Sequence, residues 1–232
     1  MGPLRSPAGR QRAHACRLSA GGGLEPGPDP GGRRPRRRRR GNAGPDDGRG
    51  CGRHVTTEPL IRLRDVTLAD ADLLDAWGQD EAARSAFNDF GEAPSPAPRD
   101  VLKSGPLRNE HNGVLIVERM SDAAPIGTVG WHVVRYGPNP GSDAWNIGIE
   151  LRPEARGHGF GTEAQRQLTD WLFANTTVNR VEAQTDVANV AEQRSLAKAG
   201  FTREGIARGS QFRAGGYHDL VTYSRLRDDS EA

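Results

Sequence analysis

The folded part of this sequence has no cysteine, and that absence excludes several kinds of site. Both cysteines of the 232-residue chain, Cys16 and Cys51, lie near its beginning. Residues 55–232 therefore cannot contain a disulfide, a cysteine nucleophile or a thiolate metal site. No two histidines have the helical or hairpin spacing of metal ligands either, so we expect no bound metal.

Long apolar runs are also absent from the chain. No stretch is long enough to cross a bilayer or to form the apolar part of a signal peptide. Arg33 and Arg34 are followed by further arginines rather than by apolar residues, which excludes a twin-arginine export signal. We therefore expect a cytoplasmic protein that does not associate with membranes.

Residues 1–54 have almost no side chains that could form a hydrophobic core. They contain 13 Arg, 13 Gly and 7 Pro, a composition typical of disordered segments. Only 4 of these residues are acidic, so the net charge of the segment is +9. Because the whole chain carries +2, residues 55–232 carry −7. We predict two parts, a disordered tail (1–54) and an acidic folded domain (55–232).

The tail has two interpretations. Its arginine run, 36–40, could contact the phosphates of nucleic acid or of anionic lipid. Translated GC-rich DNA from upstream of a gene has the same composition, and Val55 would then be the native start if its codon were GTG. The charge of the acidic domain itself does not favour nucleic acid as a partner.

One stretch combines a strand, a glycine-rich loop and a helix. Residues 145–151 alternate apolar and polar side chains, which is the pattern of a half-buried strand. Residues 156–162 read RGHGFGT, with glycine at every second position. The helix after this loop has one apolar stripe, formed by Ala164, Leu168, Trp171 and Leu172.

The glycine-rich loop is predicted to bind an anion such as a pyrophosphate. Glycine permits positive φ and close approach of the backbone, and the first N–H groups of a helix are free to donate. The helix dipole and Arg156 add positive charge beside them. Two nucleotide motifs are excluded, because no lysine precedes Thr162 as in a Walker A loop and the glycines lack the G-x-G-x-x-G spacing.

The remaining periodicities predict an α/β domain. Its order is one strand, two helices, three strands, a helix, a strand, a helix and two strands. Asn189 and Glu192 have the spacing of a capping box, and residues 209–217 are predicted to be loop. Strands are predicted at 60–64, 114–118, 126–134, 145–151, 180–185, 201–208 and 218–226, and helices at 67–78, 81–87, from 161 and at 189–200, with a further short helix compatible with 100–104.

Two motifs resemble a known superfamily. R-x-x-G-x-G occurs at 156–161 after a strand that ends in Leu-x-Pro, and Asn189 begins a segment that ends in Gly200-Phe201. Both resemble the GNAT acetyltransferases over residues 60–226, and residues 180–226 are similar to the ribosomal-protein alanine N-acetyltransferases. The resemblance implies a mixed, mostly antiparallel sheet of six to seven strands with about four helices, splayed between the fourth and fifth strands.

The resemblance also implies acetyl-CoA as cosubstrate. Leu151 would bind the pantetheine arm through its backbone, and its N–H would polarise the thioester carbonyl. Asn189 would reach the same arm with its side chain, although capping of the following helix is an equal alternative. The pyrophosphate would lie on the glycine-rich loop, formed by Arg156, Gly157, His158, Gly159, Phe160, Gly161 and Thr162.

The candidate catalytic groups depart from those of the superfamily. Asn146 stands where many relatives have a glutamate base, so Glu150, on the same strand face, is our candidate base, with a structural ion pair as the alternative. Leu196 stands where many relatives have the tyrosine that protonates the departing thiolate. Ser195 is therefore a candidate proton donor or CoA contact, with water as an equal alternative, and Glu192 is expected to cap the helix.

The resemblance implies direct transfer of an acetyl group to a primary amine, either a protein N-terminus or a small molecule, by a monomer or homodimer. The acidic domain suits a cationic acceptor. The departures leave a second interpretation, a non-catalytic acyl-CoA-binding or sensor protein on the same fold. We expect His132, His158 and His218 to lie at the surface or in loops. The candidates for lining the acceptor pocket are Trp131, Tyr136, Asp143, Tyr217 and Asp219, although core packing is the preferred role for Trp131.

Overall fold

A seven-stranded sheet organises the folded part of the chain. The computed structural model describes residues 58–80, 85–90 and 97–231, so the predicted tail lies outside the described residues. The strands are β1 (Ile61–Asp65), β2 (Asn112–Arg119), β3 (Pro125–Arg135), β4 (Asp143–Leu151), β5 (Arg180–Asp186), β6 (Thr202–Arg213) and β7 (Gly216–Leu226), and the helices are α1 (Ala71–Gln79), α2 (Pro98–Ser104), α3 (Phe160–Asn175) and α4 (Val190–Lys198).

The order of the strands in the sheet is β1-β2-β3-β4-β5-β7-β6. All neighbours are antiparallel except β4 and β5, which run parallel. These two strands pair only at Trp145↔Val181 and Asn146↔Glu182, and beyond that level they diverge. The predicted fold class is thus confirmed, including the splay between the fourth and fifth strands.

The structure differs from the sequence prediction in two segments, the predicted helix at 81–87 and the predicted loop at 209–217. Residues 81–84 lie outside the described residues, but Ser85 to Phe87 belong to a turn rather than a helix, with the N–H of Asn88 donating to Ser85 O at 2.8 Å. The further short helix expected at 100–104 is confirmed as α2, which begins two residues earlier with a proline in its first turn.

The predicted loop at 209–217 is strand for most of its length. β6 and β7 continue to a two-residue turn, in which Ala214 has φ 47° and Gly215 has φ 79°. Positive φ at both central residues is the geometry of a type I′ hairpin turn. β6 accommodates its glycines through register shifts between Arg203 and Gly205 and between Ala207 and Gln211.

Helices α3 and α4 cover one face of the sheet and form the core with it. The core is made of inward-facing residues of β1 to β5 and β7 and the apolar stripes of both helices. Trp131 is among its members, as preferred from the sequence. Its fully buried members include Val117, Leu168, Leu172, Val181 and Leu196.

The two ends of α4 follow local sequence signals. Asn189 caps the helix by accepting the N–H of Glu192 at 3.3 Å, and Gly200 has φ 89° just beyond the other end. The second half of the predicted capping box is wrong, because the backbone N–H of Asn189 donates to Asp186 O instead. The carboxylate of Glu192 is therefore available for a contact elsewhere.

Candidate active site

The splay between β4 and β5 leaves part of a strand edge without a partner inside the sheet. The N–H of Arg152 donates to Ile126 O of β3 at 2.9 Å. Since successive backbone groups of a strand point to opposite sides, those of Ile149 and Leu151 point towards β5. β5 no longer pairs at this level, so an open cleft begins above the last pair, Asn146 and Glu182.

The glycine-rich loop lies at the open end of this cleft. Gly157 has φ 79° and Gly159, the N-cap of α3, has φ 84°. Within the described residues, no hydrogen bond uses the backbone N–H of Phe160, Gly161 or Thr162. The first turn of a 16-residue helix therefore presents three free donors and the positive end of its dipole beside the cleft.

Several side chains of the loop contact one another or neighbouring residues of the protein. Arg156 Nε donates to Leu151 O at 3.0 Å, and the rings of His158 and Phe160 stack at 5.7 Å. Thr162 Oγ1 lies 3.1 Å from Ser195 Oγ. The groups that the loop offers to an anion are therefore mainly its backbone N–H groups.

A chain of polar side chains joins α3 to α4 directly behind the loop. Ser195 Oγ donates to Gln165 Oε1 at 3.1 Å, and Gln165 Nε2 donates to Glu192 Oε1. Burial raises the pKa of Glu192, against the opposing effect of the bond from Gln165. A Cβ on Gly161 would lie 3.6 Å from Ser195 Oγ and 3.5 Å from Leu151 Cδ1, so Ser195 lines the floor of the cleft.

Sequence reasoning missed Gln165. This side chain is only 2% exposed, and its two bonds set the positions of Ser195 and Glu192. Nothing in a helical glutamine beside an apolar stripe predicts such a role, because the partners lie about 30 residues away in another helix.

Asn189 lies at the start of α4 with both ends of its side chain engaged. Its Oδ1 accepts the N–H of Glu192 at 3.3 Å, and its Nδ2 donates to Thr185 Oγ1 at 3.0 Å. An amide has a second lone pair and a second hydrogen, so capping leaves room for a further ligand contact.

The opposite face of the sheet carries polar residues around the last β4–β5 pair. Asn146 Nδ2 lies 3.4 Å from Glu182 Oε1, so both side chains leave the sheet on this face. Glu150 is four residues further along β4 and therefore on the same face. Its backbone pairs with Thr128 of β3, but its side chain is exposed and, within the described residues, its carboxylate forms no hydrogen bond or ion pair.

Glu182 is the centre of a buried cluster at the closed end of the cleft. Only 2% of it is exposed, and it accepts hydrogen bonds from Tyr136 Oη at 2.5 Å and Arg180 Nε at 3.0 Å. Burial and the neighbouring Glu182 carboxylate raise the pKa of Tyr136. Arg180 also binds Glu204 with two bonds of 2.6 Å and holds the pKa of that carboxyl at about 2.

The other residues considered for an acceptor pocket lie in two separate places. Trp131 and Asp143 line a separate groove of about 660 Å³ beside the C-terminal end of α3. Tyr217 lies on the β6–β7 hairpin with its ring 5.2 Å from that of Phe212, and Asp219 accepts the N–H of Gly209 at 2.7 Å.

Two structural observations concern membranes and metals. Among the described residues, no helix combines the length and apolarity needed to cross a membrane. Within 58–80, 85–90 and 97–231, no group of three or more His, Cys, Asp or Glu side chains is arranged to hold a metal ion.

Comparison with protein families and relatives points to one family. The model of the acetyltransferase (GNAT) domain matches residues 61–202. The uncharacterized N-acetyltransferase YoaA of Bacillus subtilis (strain 168) is 29% identical over 175 residues, which cover 75% of this chain and 96% of YoaA.

Solved structures share the fold. RimL, a ribosomal L7/L12 alpha-N-protein acetyltransferase solved with coenzyme A, superposes with a TM-score of 0.61 at 17% identity, covering 74% of this chain and 97% of RimL. Spermidine N-acetyltransferase from Vibrio cholerae, solved with CoA and spermine, gives a TM-score of 0.62 at 17% identity, covering 75% of this chain and 100% of that enzyme.

Proposed function

Because the chain belongs to the acetyltransferase (GNAT) family of acyltransferases, we propose that it transfers an acetyl group from acetyl-CoA directly to a primary amine. One observation carries this proposal. Within the described residues, the backbone edge of Ile149 and Leu151 pairs with no strand on the β5 side, and it lies next to a loop whose first helical N–H groups are free. This arrangement suits a ligand with an extended polar arm and a pyrophosphate.

The residues present fit acetyl-CoA. The N–H groups of Phe160, Gly161 and Thr162 would hold the pyrophosphate, and Arg156 would add charge. A Cβ at Gly157 would meet nothing within 4 Å, so the backbone is accessible there. The backbone of Leu151 would bind the pantetheine arm. When bound, acetyl-CoA supplies the thioester carbonyl carbon that the amine attacks.

The protein groups then divide the chemistry. The N–H of Leu151 would donate to the carbonyl oxygen as negative charge develops there. Glu150 would take the proton from the attacking amine as the C–N bond forms and the C–S bond breaks. The leaving thiolate would receive a proton from Ser195 or from water. Ser195 must first release its bond to Gln165, whereas water needs no such rearrangement.

The acceptor is proposed to be cationic before it loses its proton. Residues 55–232 carry −7, and Glu150 stands exposed on the face opposite α3 and α4. Among the structurally similar proteins, RimL is an alpha-N-protein acetyltransferase and the Vibrio cholerae enzyme is a spermidine N-acetyltransferase. Both are amines that an acidic surface attracts.

A second candidate is a non-catalytic acyl-CoA-binding or sensor protein. Leu196, which stands where relatives have a proton-donating tyrosine, is fully buried in the core. Asn146 stands at the position of the usual glutamate base, and its side-chain amide donates to Glu182 Oε1. The chain therefore lacks, at these two positions, the side chains that act as base and acid in many relatives.

One experiment separates the two candidates. Acetyl-CoA binding is measured by calorimetry, and thiol release is measured over a panel of amines that includes a basic peptide with a free N-terminus, a polyamine and an aminoglycoside. Binding with turnover of at least one amine supports the enzyme. Binding without turnover of any amine supports the sensor, and absence of binding contradicts both.

A further inference from the structure

Arg213 is buried near the tip of the β6–β7 hairpin, where the neighbouring side chains of Phe212, Ala214 and Tyr217 are exposed. It is 5% exposed, whereas Phe212 is 59% and Tyr217 is 76% exposed. An arginine inside and two aromatic residues outside reverse the usual preference for burial. The tight turn at Ala214-Gly215 brings Arg213 opposite Gly216 and turns its side chain inwards.

The guanidinium of Arg213 joins three separate segments. Nη1 donates to Ala86 O at 2.5 Å, in the turn that follows α1, and Nη2 donates to Asp186 Oδ2 at the end of β5. Nε donates to Gln211 Oε1 of its own strand at 3.1 Å. The group also lies 5.5 Å from the ring centre of Phe87. The hairpin, β5 and residues 85–90 are thus held by one side chain.

Asp186 connects this junction to the turn before α4. Its Oδ1 accepts the N–H of Ala188 at 2.6 Å, and its carbonyl accepts the N–H of Asn189 at 2.9 Å. The carboxylate that Arg213 neutralises therefore also shapes the turn that places Asn189. His218 Nδ1 lies 3.5 Å from Asp186 Oδ2 on the remaining side.

The junction borders the amine side of the cleft. Asp186 is four residues beyond Glu182 on β5, just as Glu150 is four residues beyond Asn146 on β4. Because side chains alternate along a strand, Asp186 and Glu150 leave the two diverging strands at a similar height and on the same face. That face is opposite α3 and α4.

We propose that Arg213 is a positioning residue for the acceptor amine, holding residues 85–90 and the β6–β7 hairpin as walls beside the cleft. This inference rests on the proposed transfer to an amine. Without Arg213, residues 85–90 would lose an anchor. Within the described residues, the buried Asp186 carboxylate would keep only the N–H of Ala188 and the ring of His218 beside it. The acceptor would then be held in a less defined orientation, while the glycine-rich loop would stay in place.

Kinetics with a matched control test the proposal. Arg64 also pairs with a buried aspartate, Asp70, but lies on β1 at the far edge of the sheet. Arg213→Met is expected to raise the KM for the amine about tenfold or more, with the KM for acetyl-CoA changing much less. Arg64→Met should lower the thermal midpoint without changing either KM. Equal amine KM values in the two variants would overturn the proposal.

Hydrogen exchange gives a readout that does not depend on turnover. The N–H of Asn88 donates to Ser85 O at 2.8 Å within the anchored turn, and its exchange should accelerate in Arg213→Met but not in Arg64→Met. Arg213→Lys guards against misfolding, because lysine keeps a charge for Asp186 but lacks the fork that reaches Ala86 O at the same time. Unchanged exchange at 85–90 in both Arg213 variants overturns the positioning role. Absence of turnover in the unmodified protein contradicts only the proposed function.

Discussion

Replacing Gly159 by alanine tests the glycine-rich loop with little steric change. Gly159 has φ 84°, and a Cβ built there would approach only Leu60 Cδ1, at 3.9 Å, which is ordinary contact. The cost therefore comes from the backbone alone. A non-glycine residue in the left-handed region costs about 1–2 kcal/mol.

The strain that Gly159→Ala introduces can lower either the stability of the protein or its affinity for acetyl-CoA, and both effects can be measured. If the loop keeps its conformation, the free energy of unfolding falls by about 1–2 kcal/mol. If the loop relaxes to negative φ, the free N–H groups of Phe160, Gly161 and Thr162 turn away from the anion. A hydrogen bond to a charged group contributes about 1.5–3 kcal/mol, so losing one raises the Kd for acetyl-CoA about 10- to 100-fold.

Gly161→Ala is the matched control in the same loop. Its Cβ would lie 3.5 Å from Leu151 Cδ1, again ordinary contact, and Gly161 has no positive φ. We expect a Kd within about twofold of the unmodified protein and a stability gain of up to about 1 kcal/mol from helix propensity. Calorimetry with acetyl-CoA and thermal unfolding of both variants are the assays. A Kd and a thermal midpoint that are the same for the two variants would refute the role of the Gly159 conformation.

Three further predictions concern the base, a buried ion pair and the hairpin turn. Glu150→Gln should lower kcat about 10²-fold with little change in the KM for acetyl-CoA, and an unchanged kcat in steady-state assays would exclude Glu150 as the base. The hydrogen bonds from Arg64 hold the pKa of Asp70 well below its usual range, so the pair stabilises the fold above the ordinary aspartate pKa of about 3.9 and loses this effect as pH falls. Asp70→Asn should therefore lower the free energy of unfolding by about 1–3 kcal/mol at pH 7, and urea titrations should show this difference shrinking from pH 5 towards pH 2; a constant difference would contradict the coupling. Ala214→Asn should raise the free energy of unfolding by up to about 1 kcal/mol, since asparagine tolerates φ 47° better than alanine, and a lower thermal midpoint would contradict this.

Local patterns in the sequence predicted the elements that frame the site. The alternation in β4, the apolar stripe of α3 and the Asn189 cap each depend on residues a few positions apart. The mostly antiparallel sheet and its splay were implied by the resemblance rather than by periodicity. The prediction of a loop at 209–217 is wrong, because glycines favour loops in a sequence pattern, whereas β6 accommodates them in register shifts.

Contacts between distant residues were beyond sequence reasoning. Arg213 and Ala86 are 127 positions apart, and Gln165 and Ser195 are 30 apart. No spacing rule relates such pairs, because the connecting elements bring them together only when the sheet forms. Glu182 illustrates the same limit, since it accepts a hydrogen bond from Tyr136, which lies 46 positions away in the loop after β3.

Because β4 and β5 share two residue pairs, the sheet consists of two parts that are connected weakly. One part contains β1 to β4 and the other contains β5, β7 and β6, and the backbone connection between them is limited to Trp145↔Val181 and Asn146↔Glu182. An extended ligand in the cleft would bridge both parts as an additional strand does. The two parts of the sheet are therefore weakly coupled in the free protein. A bound cosubstrate that contacts both parts would make them unfold together when the protein is heated or denaturant is added.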